Sequence, residues 1–190
     1  MLQLILVRHG NTFESWQTPI QVGAKIDLPL TQDGRKQAEI MARYLMEKNI
    51  QPVAIYCGTL KRQVEFAQIL GPFQISPALT EIDYGPWEGL TVEEIKFKWP
   101  KEYVDWNESA KWPDLFIGSK EIYWTKLQDW LEHLKKNHPK GSTLVAVTSN
   151  GVMRLFENHK VKTGHFCKLA LFENHFTILN WNQNPGLEGV

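Results

Sequence analysis

Short apolar runs alternate with amphipathic stretches along the first two thirds of the chain. Leu2 to Val7 is apolar almost throughout and stops abruptly at Arg8 and His9, which predicts a strand buried on both faces. Thr31 has the residue type of a helix N-cap. Ala38, Met41, Ala42 and Leu45 follow it at i, i+3, i+4 and i+7, and Asn49 and Pro52 close the helix. Val53 to Cys57 is rich in strand formers. Thr59 then predicts the cap of a second helix with Leu60, Val64 and Ala67 on one face, stopped by Gly71-Pro72. Ser119 opens a third helix whose stripe is Tyr123, Leu127, Trp130, Leu131 and Leu134, ending before His138-Pro139. Thr143 to Thr148 reads as a third buried strand and Gly151 to Asn158 as a short helix behind it. Lys168 to Phe172 and Phe176 to Trp181 read as a closing hairpin.

Strands that alternate with helices predict an α/β fold, a three-layer αβα sandwich around a mainly parallel sheet. No repeat, low-complexity tract or linker divides residues 1–190, so one domain is expected. Ligands of such sheets bind beyond the carboxyl ends of the strands. That rule gathers Arg8-His9-Gly10, Thr59 to Arg62, and Thr148 to Gly151 around one crevice.

Charge narrows the function classes. The 190 residues carry 21 basic and 21 acidic side chains, a zero balance that argues against a nucleic-acid or membrane-surface protein. The apolar start is too short for a signal-peptide core, and no run approaches the roughly 18 residues of a membrane span. Cys57 and Cys167, the only cysteines, suit a reducing compartment, and the cytoplasm is the expected location. Histidines and cysteines make no metal-ligand spacing, so neither a metal nor another cofactor is expected.

Four ordered segments carry a resemblance. Arg8-His9-Gly10-Asn11-Thr12 follows the first strand. Asp27-Leu28-Pro29-Leu30-Thr31 leads to Gly34, Gln37 and Ala38. Thr59-Leu60-Lys61-Arg62 opens the second helix, and Leu79 to Gly89 reads LTEIDYGPWEG. Together they resemble the histidine phosphatase superfamily, also called the phosphoglycerate mutase-like family. The resemblance implies a phosphatase acting on a phosphorylated small molecule without metal. His9 would be the nucleophile, Glu81 the acid and base, and Arg8, Arg62 and Asn11 phosphate ligands. Residues 84–116, with eight aromatics, would form part of a cap over the pocket. The chemistry is physically coherent. Guanidiniums offer planar, bidentate donors to the equatorial oxygens of a transferring phosphoryl group, and they disfavour an imidazolium beside them. A helix starting at Thr59 would add free backbone N–H groups.

The resemblance breaks at one place. The family places a second histidine in a VTHGG-like segment, where this chain reads Val147-Thr148-Ser149-Asn150-Gly151-Val152-Met153-Arg154. Aligned on Arg154, Ser149 takes the histidine position; aligned on the glycine alone, Asn150 does. Both are therefore candidate phosphate ligands. Ser15 also stands where many relatives have a phosphate-contacting asparagine. Losing one preorganised donor costs roughly 2.7–4 kcal/mol in the transition state. A second reading follows, a weak or silent member that binds a phosphorylated ligand or a protein partner. A mutase is the third, disfavoured because the family's mutases are longer.

Overall fold

In the computed structural model, which describes residues 1–187, the first apolar run is strand β1 (Leu2–Arg8), and its side chains divide by parity. Leu2, Leu4 and Leu6 enter one hydrophobic core, Ile5 and Val7 the other. Strand β4 (Thr143–Thr148) repeats the division, with Leu144 and Ala146 in the first core and Val145 and Val147 in the second. Both faces of the sheet are thus covered, as a continuous apolar run requires.

The sheet has six strands in the order β3 (Gln74–Ile75), β2 (Ala54–Cys57), β4, β1, β5 (Phe166–Leu171), β6 (Phe176–Gln183). β3, β2, β4 and β1 pair in parallel, while β5 runs antiparallel to both β1 and β6. Val147 lies opposite Val7 on one side and Cys57 on the other, so the carboxyl ends of β1, β4 and β2 finish level. That edge carries the site.

Helices α1 (Gln32–Glu47) and α2 (Lys61–Leu70) cover the face of Val7, burying Ala38, Met41, Tyr44 and Leu45 from the first and Phe66 and Ala67 from the second. Helices α3 (Val92–Lys98), α4 (Pro100–Ser109) and α5 (Lys120–Asn137) supply Ile95, Trp106, Leu127, Trp130, Leu131 and Leu134 to the opposite core. Thr31 caps α1 as expected, its side chain accepting from the Gly34 amide, and Ser119 caps α5 through the Ile122 amide.

Several expectations need correction. Thr59 does not cap α2: Leu60 takes that position, and Thr59 bonds instead through its amide and hydroxyl to the Thr80 hydroxyl. The helix after β4, α6 (Asn150–Met153), ends five residues early. Arg154 donates to the Asn158 carbonyl and the Val161 amide donates back to Asn150 Oδ1, which folds the chain into a tight return. The hairpin starts two residues early because Phe166 pairs with Val7. Helices α3 and α4 had no periodic signal strong enough to place them.

The loop after β1 lies directly on the first turn of α1. A Cβ on Gly10 would sit 2.4 Å from the Gly34 carbonyl oxygen, and one on Gly34 would sit 2.3 Å from the Asn11 carbonyl oxygen. The amide and hydroxyl of Thr31 both donate to that same Asn11 oxygen. Helix propensity alone favours alanine over glycine by roughly 1 kcal/mol. Contact with rigid backbone reverses the sign: Gly34→Ala is expected to lower stability by about 1–3 kcal/mol. A thermal midpoint at or above that of wild type would remove the close approach from this account.

Candidate active site

Arg8 and His9 leave β1 at the level edge of the sheet. The His9 amide donates to the Thr148 carbonyl, which fixes the backbone. The imidazole then makes two contacts of different kind. Nδ1 lies 2.8 Å from the Gly10 carbonyl, which can only accept, so Nδ1 carries the proton. Nε2 therefore holds a lone pair, and it accepts from Arg62 Nε at 3.2 Å. Burial, then the charges of Arg62 and Arg8, hold the His9 pKa well below the ordinary histidine value, against a smaller opposing effect of the Gly10 carbonyl. The ring is only 6% exposed, and what is exposed opens into a cavity.

Arg62 is the second residue of α2 and is 1% exposed. Its Nη1 and Nη2 donate to the carbonyls of Ile26 and Gly23, both at 3.0 Å. Arg8 sends Nη1 to the Val161 carbonyl at 2.6 Å, and its buried Nε has no hydrogen-bond partner. Both guanidiniums line the cavity with donors to spare.

Glu81 is 5% exposed and lines the same cavity. Its Oε1 accepts from the Ile82 amide at 2.9 Å and its Oε2 from the Gly151 amide at 3.3 Å. Burial raises its pKa above the ordinary carboxylate value, and Arg62 is the largest opposing influence. A Cβ on Gly151 would lie 2.4 Å from Glu81 Oε1, so the glycine is what lets the carboxyl approach α6.

The cavity has a volume of about 540 Å³ and collects Arg8, His9, Asn11, Arg62, Glu81 and Asn150. Asn11 gives its Oδ1 to the Thr163 hydroxyl. Its backbone amide is tied to Gln37 at 2.8 Å, so Asn11 is held from both sides. Ser149 is absent from the lining: it is fully buried, and its Oγ accepts from Gln63 Nε2 at 2.9 Å. Asn150 does line the cavity, but its Oδ1 is taken by the Val161 amide. The α2 terminus also differs from expectation. The amides of Leu60 and Lys61 are occupied by Gln63 Oε1 and Asp27 Oδ1, so the helix contributes a side chain rather than a nest of N–H groups.

Two parts of the lining were not foreseen from sequence, most of the wall that follows Ser15 and Lys160, while the expected aromatic wall is narrower than its segment. Gln17 and Pro19 to Val22 continue the wall begun by Thr12 to Ser15, without any periodic pattern to mark them. Of the eight aromatics in residues 84–116, only Tyr84 and Trp106 reach the cavity. Trp87, Trp112 and Phe116 pack edge-to-face around Trp106 or one another. Lys160, with no motif about it, stands at the mouth with its ammonium on Asn107. Desolvation, then Arg154 and Arg8, lower its pKa to about 8.

The family model of the histidine phosphatase superfamily (branch 1) matches residues 4–185. Phosphoserine phosphatase 1 of Hydrogenobacter thermophilus is 30% identical, over 81% of this chain and 74% of that protein. An acid phosphatase of Mycobacterium tuberculosis is 32% identical, over 98% of this chain and 79% of that protein. Among solved structures, a mycobacterial glucosyl-3-phosphoglycerate phosphatase in complex with VO3 superposes with a TM-score of 0.82. It is 22% identical over 95% of this chain and 98% of that one, a likeness of fold.

The Ser149 environment makes a prediction. Gln63 fills the space beside Ser149 Oγ, donating also to the Leu79 carbonyl at 2.8 Å, and a Cβ on Gly58 would lie 2.1 Å from Gln63 Oε1. An imidazole at 149 has no room while Gln63 is there. Ser149→His alone is expected to cost about 1–3 kcal/mol by overpacking. Combined with Gln63→Ala, the two changes should couple favourably by about 1 kcal/mol or more in a double-mutant cycle of unfolding free energies. Simple additivity would mean that the glutamine does not occupy the histidine's place.

Proposed function

The chain belongs to the histidine phosphatase superfamily, branch 1, and on that premise we propose that it is a phosphatase working through a phosphohistidine on His9. The observation that carries this reading is the tautomer. The proton on Nδ1 leaves the lone pair on Nε2, where Arg62 Nε donates to it at the edge of the cavity. Burial, then the charges of Arg62 and Arg8, favour the neutral ring. The phosphatase names of the relatives support it.

In the proposed reaction Arg8 and Arg62 hold the phosphoryl oxygens, and Nε2 attacks phosphorus as the bond to the alcohol oxygen breaks. Glu81, whose protonated form burial favours, gives its proton to that oxygen and the alcohol departs. Water then attacks the phosphohistidine, returning a proton to the Glu81 carboxylate and freeing Nε2 and inorganic phosphate. Asn11 and Asn150 act as neutral donors to the same oxygens. Residues 84–116 serve as the cap, bringing Tyr84 and Trp106 against the alcohol. Arginines rather than carboxylates surround the phosphoryl position, so activity is expected to survive EDTA. Two unbonded, buried cysteines suit the cytoplasm, and no helix among the described residues is long and apolar enough to cross a membrane.

One observation favours the alternative of a weak enzyme or a binder: the Ser149 hydroxyl is turned away from the cavity, so no side chain replaces the far-side histidine there. Trapping labelled phosphate on His9 separates the two readings. Wild type mixed with a labelled aryl phosphate should yield an acid-labile, base-stable adduct, and His9→Ala should yield none. A protein that binds phosphate but never acquires label is the silent member.

The acid assignment predicts a pH dependence. Glu81 acts protonated and its pKa is raised, so kcat/KM falls on the alkaline side as the carboxyl ionises. His9 acts neutral and its pKa is lowered, so protonation limits the rate only in strong acid. Glu81→Gln should remove the alkaline limb and slow alkyl phosphates about 10²–10⁴-fold, with a smaller loss for p-nitrophenyl phosphate, whose leaving group needs no proton. An unchanged alkaline limb in Glu81→Gln would reassign the acid.

A further inference from the structure

Three cations, Arg8, Arg62 and Lys160, line the cavity with two carboxyl side chains, Glu14 and Glu81, and Lys160 is the cation that the phosphoryl chemistry leaves without a role. Lys160 lies at its mouth, and its ammonium donates to Asn107 Oδ1 on α4. Behind the same wall Arg154, 2% exposed, stacks its guanidinium 4.4 Å from the Trp106 ring centroid. It donates to the Asn158 carbonyl at 2.9 Å and the Asn107 carbonyl at 3.4 Å, and its buried Nη1 has no partner. Among the described residues no carboxylate forms an ion pair with Arg8, Arg62, Arg154 or Lys160. Buried cations are ordinarily paired. Arg154 is buried without such a partner, and the exposed Lys160 meets it at Asn107, the ammonium on the side-chain oxygen and the guanidinium on the carbonyl. The charges of Arg154 and Arg8 both act on Lys160.

Arg62 donates to Nε2 of His9 and Arg8 lines the same cavity, and both are committed to the phosphoryl oxygens in the reading above. Lys160 sits away from Arg62, on the side of Trp106 and Asn107, where the alcohol half of the ester would lie. We propose that Lys160, with Arg154 behind it, recognises a second anionic group, a carboxylate or a phosphate, on the alcohol of the substrate. The preferred substrates are then phosphomonoesters of anionic alcohols, and Lys160 is a specificity residue rather than a catalytic one. The inference rests on the phosphomonoester reading of the cavity. The ammonium suits the task as a mobile point charge with two N–H groups left after Asn107. The Asn107 contact ties it to the cap segment, one residue along α4 from Trp106 on the cavity wall.

The test separates recognition from turnover. In His9→Ala protein, which cannot be phosphorylated, calorimetry compares glycerol 3-phosphate with 3-phosphoglycerate and with propane-1,3-diol bisphosphate. At least one doubly anionic ligand should bind tenfold or more tightly than glycerol 3-phosphate, and the stronger of the two identifies the second group. Adding Lys160→Met should shrink that ratio to about twofold or less. Lys162→Met, which removes an exposed charge two residues away, should leave it intact. In wild type the same ratio should appear in kcat/KM, mainly through KM. Equal binding of all three ligands, or equal effects of the two lysine changes, overturns the inference. A wild-type protein that hydrolyses none of them while keeping the binding ratio overturns the phosphatase reading and leaves the recognition standing.

Discussion

The buried guanidinium of Arg62 ties together parts of the chain that share no secondary structure. It grows from the first turn of α2, takes the carbonyls of Gly23 and Ile26, and turns its Nε toward His9 at the end of β1. Removing a guanidinium from water costs several kcal/mol unless its donors are met. The stretch before α1 meets them with backbone rather than with a carboxylate. That choice leaves the positive charge unneutralised in the cavity, where an anion can use it. Glu88 completes the arrangement from the opposite side: its carboxylate accepts from the amides of Lys25, Ile26 and Tyr84. The loop that supplies the carbonyls is thereby fastened to the segment that carries Glu81.

How much of this was legible in the sequence depended on how local each cause was. Parity along Leu2 to Val7 and along Thr143 to Thr148 is written into consecutive residues, and both strands fell where the pattern put them. Arg8, His9, Arg62 and Glu81 were found because each sits in a run with a recognisable neighbourhood, and the structure brings all four to one cavity. Thr59 misled because its hydroxyl had a partner 21 residues away in Thr80, and a tertiary contact outbid the local cap. Helices α3 and α4 escaped because they are short, 7 and 10 residues, and each buries a single side chain, Ile95 and Trp106, which makes no apolar stripe. Lys160 is an isolated lysine in sequence and acquires meaning only from Arg154 and Asn107.

The departure at Ser149 was visible as a letter change, but its meaning was not. Sequence treats the position as a donor replaced by a weaker donor. In the structure the hydroxyl has left the site altogether and belongs to a buried network of Gln63, Leu79 and Leu60. That network stabilises the join between α2 and the edge of the sheet, so the chain exchanges a far-side donor for a packed, fully hydrogen-bonded interior. Asn150 is the neighbour that stays on the cavity wall, with its oxygen spent on Val161 and only its amide nitrogen left to give. A neutral amide supplies about half the strength of a charge-assisted bond. In the proposed reaction turnover would then depend more heavily on the two arginines.

That dependence has an internal tension, because Arg62 acts on both titrating partners. Burial is the first cause of both shifts, lowering His9 and raising Glu81, and each shift favours the neutral form that the chemistry needs. The charge of Arg62 helps with the histidine, pushing it further down, but it works against the acid by pulling Glu81 back toward ionisation. The pocket settles the conflict with hydrogen-bond geometry. The short-range contact of Arg62 goes to Nε2 of His9, while Glu81 receives only backbone amides and feels Arg62 through space. The guanidinium thus touches His9 directly and Glu81 only through its charge, and desolvation remains the first influence on both. In the proposed reaction a phosphoryl group entering the cavity brings negative charge that offsets that of Arg62, which shifts the Glu81 carboxyl further toward the protonated form that a leaving-group acid needs.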